Sequence, residues 1–191
     1  MQDLSLHILD IVENSIAAKA SRVEIRIEED PEGNRMILEI EDDGEGIPAH
    51  LLEKVVDPFF TTRSTRKIGL GLSLLEQAAQ QCEGDLQVHS REGEGTLVRA
   101  TFRYNHIDRK PLGDIASTLT TLIVGNPDMD FKYVHIRSDD SFVFDTVELK
   151  TELGDIPIDH PKVVRFIRDE ITNGLTKLGC KLDLGLLAGE E

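Results

Sequence analysis

The sequence predicts an α+β fold: a two-layer α/β sandwich with helices over a mainly antiparallel sheet, followed by a small α+β appendage. Three observations predict it. Apolar residues recur at helical spacing near the N-terminus, and two alternating stretches, 22–42 and 85–104, each read as a strand pair. The order helix, hairpin, long loop, helix, hairpin then leaves the helices to form their own layer. With 191 residues, the chain has room for one good-sized domain or a domain plus a small unit.

Residues 4–19 open the chain as a helix. At about 100° per residue, Leu4, Ile8, Leu9, Ile11, Val12 and Ile16 fall on one arc, with His7, Asp10, Asn14 and Ala17 opposite. In "RVEIRIEED", Val23, Ile25 and Ile27 alternate with charged residues; "PEGN" turns the chain and "RMILEIEDD" returns as a second strand. A short helix follows around "HLLEKVV". "DPFFTTRSTRKIGLG" has no clean period and reads as a loop. "LSLLEQAAQQCE" is helical and Gly84 stops it. "DLQVHSREGEGTLVRATFRY" is strand, turn, strand.

A seam at "NHIDRKPLGD" separates a first domain, 1–106, from an α+β unit of unassigned role, 112–183. In the second unit, "DIASTLTTLIVG" is a helix. "FKYVHIRSDDSFVFDTVEL" is a hairpin turning at Asp139 and Asp140, and "HPKVVRFIRDEITNGLTKL" is an amphipathic helix that starts at a proline, with His160 at its opening. His50, His89, His106 and His135 read as surface or strand positions.

Net charge is −15, which repels phosphate polymers and anionic membranes, so no nucleic-acid partner is expected. Local donors and a cation still permit a small nucleotide. No run approaches the ~20 apolar residues of a spanning helix, so a cytoplasmic protein without membrane insertion is expected. Cys82 and Cys180 lack ligand-like spacing and read as reduced core or surface thiols.

Four segments carry chemistry. Asp10 and Asn14 lie at i and i+4 on one helix face; an amide oxygen suits Mg²⁺ and a carboxylate can accept a proton, although a solvated polar stripe has the same spacing. In "EDDGEGIP", Asp42 ends a strand before Gly44, Gly46 and Ile47. A buried carboxylate there can accept from an exocyclic amine, and an ordinary acidic turn is the alternative. "DPFFTTRSTRKIGLGLSLL" sets Arg63, Arg66 and Lys67 before Gly69, Leu70, Gly71 and Leu72 at a helix start, an arrangement suited to anions. In "REGEGTLVRATF", a hairpin turn accounts for the glycines, and Thr96 can also point its hydroxyl at a base.

The order and spacing of these segments resemble a known superfamily. "DIVENSIAAKASRVEI…LEIEDDGEGIP" resembles the opening of MutL and gyrase ATPases, and "DPFFTTRSTRKIGLGLSLL…CEGDLQVHSREGEGTLVRATF" looks more like the catalytic domain of sensor histidine kinases. The resemblance covers about residues 4–103 and implies the Bergerat ATP-binding fold, with ATP and Mg²⁺ as cofactors. It implies that Asn14 holds the Mg²⁺ and that Asp10 stands where gyrase-like ATPases carry a general base. Asp42 would bind the adenine amine. Gly44, Gly46 and Ile47 would close over the base, and Thr96 would support it. Phe59 and Phe60 would anchor the lid; Arg63, Lys67, Gly69, Leu70, Gly71 and Leu72 would face the phosphates. Two positions depart from the pattern: Lys67 replaces a further glycine common in histidine kinases, and Ala17 stands where MutL-like proteins carry aspartate.

The resemblance implies a stand-alone regulatory kinase acting in trans on a protein partner, since only three residues precede Leu4 and no dimerising hairpin is expected there. An anti-sigma-type serine kinase or nucleotide-gated switch, and a slow ATPase whose lid closure drives a homodimer, are the alternatives. The lid sequence has few apolar anchors beyond its phenylalanines, so ATP is expected to slow proteolysis between Arg63 and Lys67. Cleavage that is indifferent to ATP would contradict this.

Overall fold

Alternation of apolar and charged residues along the strands builds the sheet. The computed structural model describes residues 3–52 and 70–180. Strands β1 (Arg22–Asp30) and β2 (Arg35–Asp42) form the first hairpin, and β3 (Leu86–Arg91) and β4 (Gly95–Arg103) the second. β5 (Asp130–Arg137) and β6 (Asp140–Asp145) form a third. The six strands make one sheet in the order β3-β4-β2-β1-β5-β6, antiparallel throughout except for the parallel pair β1–β5. The segment that follows the seam therefore continues the sheet of the segment that precedes it.

One face of the sheet carries Val23, Ile25, Ile27, Met36, Leu38, Ile40, Val98, Ala100, Phe131 and Tyr133, all buried. Helices α1 (Leu4–Ala17), α3 (Leu70–Gln81), α4 (Ile115–Gly125) and α6 (Pro161–Lys177) supply the other half of this core. The opposite face is a charged ladder in which Arg26 bridges Glu28 and Glu39, Arg99 meets Glu39, and Lys132 meets Glu24. Such half-exposed pairs contribute little stability each and mainly keep that face wet.

The caps explain the helix boundaries. Asp3 accepts from the Leu6 amide at 3.1 Å and so starts α1, Asp114 starts α4 through the Ser117 amide at 2.9 Å, and His160 Nδ1 accepts from the Lys162 amide at 3.3 Å with Pro161 following at N1.

Several local expectations need correcting. The short helix after the glycine turn is α2 (Ala49–Leu52); the rest of its expected span lies outside the described residues. Glu83, at φ 55°, provides the left-handed residue after α3, whereas Gly84 is required for packing: a Cβ there would lie 1.8 Å from the Thr101 carbonyl oxygen. The third hairpin closes with Arg137 opposite Asp140, so its turn is Ser138–Asp139, one residue earlier than expected, with Ser138 at φ 54°. "TVEL" is not strand but the start of α5 (Thr146–Leu153), because Asp145 caps it through the Val147 amide at 2.8 Å. Of the surface and strand readings of His135 the strand one holds, since it lies in β5, where it is fully buried.

His7 is likewise buried, at 2% exposure, although the helical wheel sets it opposite the apolar arc. The chain at Pro111 and Leu112 accepts from the Leu4 and Ser5 amides at 2.9 Å each, covering that side of α1. His7 Nδ1 has no partner among the described residues. Burial, reinforced by Lys110, lowers the imidazole from 6.5 to about 4. The unfolded chain then takes up the proton first, so stability falls as pH drops from 6.5 toward 4. A shift of this size is worth up to about 3 kcal/mol. His7→Leu is expected to flatten that part of the stability–pH curve in urea titrations; an unaltered curve would contradict it.

Candidate functional site

The end of β2 meets α1 and the β3–β4 turn. Asp42, 9% exposed, accepts from Ser15 Oγ at 2.6 Å through Oδ2 and from the Gly44 amide at 3.0 Å through Oδ1. In the sheet register Asp42 lies opposite Thr96, and Thr96 opposite Ser90, so three polar side chains form a row across the core face. The Thr96 and Ser90 hydroxyls are 2.9 Å apart. Ser90 Oγ also donates to the Gly95 carbonyl at 2.8 Å and accepts from the Ile47 amide at 2.7 Å.

The two glycine strings fit into each other. Gly46, at φ 69°, leaves no room for a side chain: a Cβ would stand 1.9 Å from the Arg91 carbonyl oxygen. Gly95 answers it, since a Cβ there would lie 1.9 Å from the Asp42 carbonyl oxygen. Gly44 packs on Ala18 at the end of α1, and the Glu45 amide donates to the Ala18 carbonyl at 2.8 Å. The Gly93 amide closes the far side on the Glu45 carbonyl at 2.7 Å. Gly46→Ala is expected to lower the thermal midpoint more than Gly93→Ala. The latter meets nothing and costs only its left-handed backbone, about 1–2 kcal/mol. Equal shifts would contradict the close approach.

On α1, Asp10 is half-buried and Asn14 exposed, one turn apart on one face. Burial, and then the charge of Glu13, raise the Asp10 carboxyl above its ordinary value. The start of α3 sits directly on it: a Cβ on Gly71 would lie 3.1 Å from Asp10 Cβ and 3.6 Å from its Oδ2. Leu72, half-buried in the same turn, packs against the core. Asn14 therefore stands between two contacts, Asp10 with the α3 start and Ser15 with Asp42. Leu70 opens α3; Phe59, Phe60, Arg63, Arg66, Lys67 and Gly69 lie outside the described residues.

Three polar groups here escape a reading of the sequence. Ser15 looks like any polar residue within a helix, and Ser90 like an outward strand position. Asp43, beside Asp42, serves structure: hydrogen bonds from Ser21 and Arg22 outweigh its burial and hold its carboxyl below the ordinary value. The only sequence signal for Ser15 is its place next to Asn14, one turn past Ile11.

A family profile described as "Histidine kinase-, DNA gyrase B-, and HSP90-like ATPase" matches residues 2–106. The chain is similar to the sensor kinase CckA of Brucella abortus (strain 2308), 42% identical over 87 residues that make up 45% of this chain and 9% of that protein. It is also similar to the sensor histidine kinase YxdK of Bacillus subtilis (strain 168), 32% identical over 106 residues covering 52% of this chain and 32% of that one. Among solved structures, the mycobacterial sensor histidine kinase MprB aligns with a TM-score of 0.41 at 30% identity, over 50% of this chain and 68% of that chain. The matched region thus spans no more than 32% of the length of these two sensor kinases.

Proposed function

Because the chain belongs to the histidine kinase-, DNA gyrase B- and HSP90-like ATPase family, we propose that it binds Mg·ATP and transfers the γ-phosphoryl group to a protein partner in trans. Its sandwich is the Bergerat fold of that family. The observation that supports the proposal is that α1 makes two contacts, Ser15 with Asp42 at the end of β2 and Asp10 with the start of α3 at Gly71, with exposed Asn14 between Asp10 and Ser15 in the helix.

The donor set fits the nucleotide. A carboxylate accepts at about four lone-pair positions, and Ser15 and Gly44 use two of those on Asp42, which leaves acceptors for the exocyclic amine of adenine. Gly44 and Gly46 bring backbone where a Cβ would intrude, Ile47 supplies an apolar edge, and Thr96 is held in the row by Ser90. Asn14 offers an exposed hard oxygen for Mg²⁺. Gly71 and Leu72, with Gly69 and Leu70, would present amides to the phosphates, and Arg63, Lys67 and Phe60 would complete the lid. Bound Mg·ATP supplies the transferable phosphoryl group and a cation that offsets its charge. Asp10, facing the α3 start, would accept the proton released by the attacking nucleophile.

Asp10 also favours a second reading, slow hydrolysis, in which the same carboxylate orients water. A pull-down in Mg·ATP followed by transfer from γ-labelled ATP tests the choice. Acid-labile label on the captured partner supports a histidine or aspartate acceptor, and acid-stable label a serine or threonine one. Phosphate release without a partner, lost in Asp10→Ala, supports the ATPase. No label on any partner contradicts the kinase.

A further inference from the structure

The far end of the same sheet face carries a second cluster. β1 runs from Val23, paired with Asp42, to Glu29, paired with Met36. Six residues of strand put Glu29 about 20 Å from the proposed nucleotide site. There Glu29, His135 and Cys180 converge from β1, β5 and the residue run after α6. His135 Nε2 is 2.8 Å from Glu29 Oε1, Cys180 Sγ is 3.5 Å from that nitrogen, and Cys180 Sγ is 3.6 Å from that oxygen. Among the described residues it is the one trio of ligand-bearing side chains brought this close.

We propose that Glu29, His135 and Cys180 bind a divalent transition metal, Zn²⁺ by the chemistry of its ligands, at a site separate from the nucleotide hollow. Zinc bonds of about 2.0–2.3 Å at tetrahedral angles set ligand atoms about 3.3–3.6 Å apart. Two of the three separations already have those values, and the third requires Glu29 to withdraw by about half an ångström. Cys180 Sγ is nearly equidistant from both partners, which a hydrogen bond to one of them does not require. Thiolate, imidazole and carboxylate together suit Zn²⁺ better than Mg²⁺ or Ca²⁺, and their two negative charges balance a buried dication.

The surroundings support a ligand role. Tyr133 Oη lies 2.7 Å from His135 Nδ1. A phenol both donates and accepts, so it serves the ring when Nε2–H bonds Glu29 and again when Nε2 binds a metal and Nδ1 carries the hydrogen. Burial favours the neutral acid at Glu29, but the hydrogen bond from His135, with help from Tyr104 and Arg137, holds its carboxyl below the ordinary value. Burial and the Glu29 charge push the Cys180 thiol up to about 12. A bound cation reverses that, so binding displaces one proton from Cys180 to solvent while water takes the fourth position. Arg137 Nη1 already donates to the Leu178 carbonyl at 3.0 Å and to that of Gly179, so the metal would fasten the end of α6 to β1 and β5.

The test titrates the chelator-stripped full chain with Co²⁺ and then Zn²⁺. One equivalent of Co²⁺ should produce a thiolate-to-cobalt charge-transfer band, which Zn²⁺ abolishes by displacement. Cys180→Ser should remove the band and weaken Zn²⁺ binding at least about 100-fold, since outer partners alone are worth 10–100-fold. Tyr133→Phe should weaken it about 10-fold. Cys82→Ser and Asn14→Ala should keep the band. A parent protein without the band overturns the proposal, as does a band lost in Cys82→Ser and kept in Cys180→Ser.

Discussion

Asn14→Ala is expected to lower Mg·ATP affinity at least about 100-fold, because a direct metal ligand should outweigh the outer partners worth 10–100-fold. The fold should survive. Asn14 is exposed on α1, its backbone carbonyl keeps the bond from the Ala18 amide at 2.9 Å whatever the side chain, and alanine is the better helix former by up to about 0.7 kcal/mol. Calorimetric titration of parent and variant with Mg·ATP, beside a thermal melt of each, separates the two effects. If the variant melts like the parent and binds like it too, Asn14 is not the metal ligand. Weakened binding in Mg²⁺ but not in chelator would confirm that the lost group acts through the cation.

Asp42→Asn is expected to act on the base rather than the phosphates. The amide presents N–H₂ where one carboxylate oxygen stands. It must either keep the Ser15 hydroxyl and Gly44 amide satisfied or offer an acceptor to adenine, and cannot do all three. Loss of a hydrogen bond to a charged group costs about 1.5–3 kcal/mol, roughly 10–150-fold in affinity. ATP binding should fall by that factor in the same calorimetric assay, with ADP falling equally. A change confined to ATP and absent for ADP would move the Asp42 contact from the base to the triphosphate.

How much of this is legible in the sequence depends on whether the signal is local. Both N-terminal hairpins are legible, because turn and alternation lie within a few residues. Asp42 and its glycines alone read equally well as an acidic turn, and stand out only through the order and spacing of the four segments. That Gly46 and Gly95 interlock with each other's neighbouring strands is not legible, since each alone is explained by its own turn. Ser15 carries no mark of its own until Asp42 is placed 2.6 Å away. α5 misleads because Thr146 and Val147 favour strand, whereas the Asp145 cap and the Thr146 hydroxyl, which accepts from the Phe131 amide at 2.8 Å, decide for helix.

The continuation of the sheet beyond the seam is the largest feature hidden from the sequence. Parallel pairing of β1 with β5 needs no turn between them, so no dipeptide announces it. That pairing, together with the return of α6, is what gathers Glu29, His135 and Cys180, whose positions in the chain suggest no common purpose. Buried His135 reads as an ordinary strand residue for the same reason.

The central claim is a single hollow that recognises a purine by its exocyclic amine. Calorimetric titration of the unmodified protein with ATP and with GTP, each in Mg²⁺, tests it most directly. Guanine sets a carbonyl oxygen where adenine has its amine, facing an Asp42 carboxylate that can only accept. The account predicts one ATP site and GTP binding weaker by at least about 10-fold, the lower bound for a lost charged hydrogen bond. Equal affinities for the two nucleotides, or no ATP binding, would contradict it.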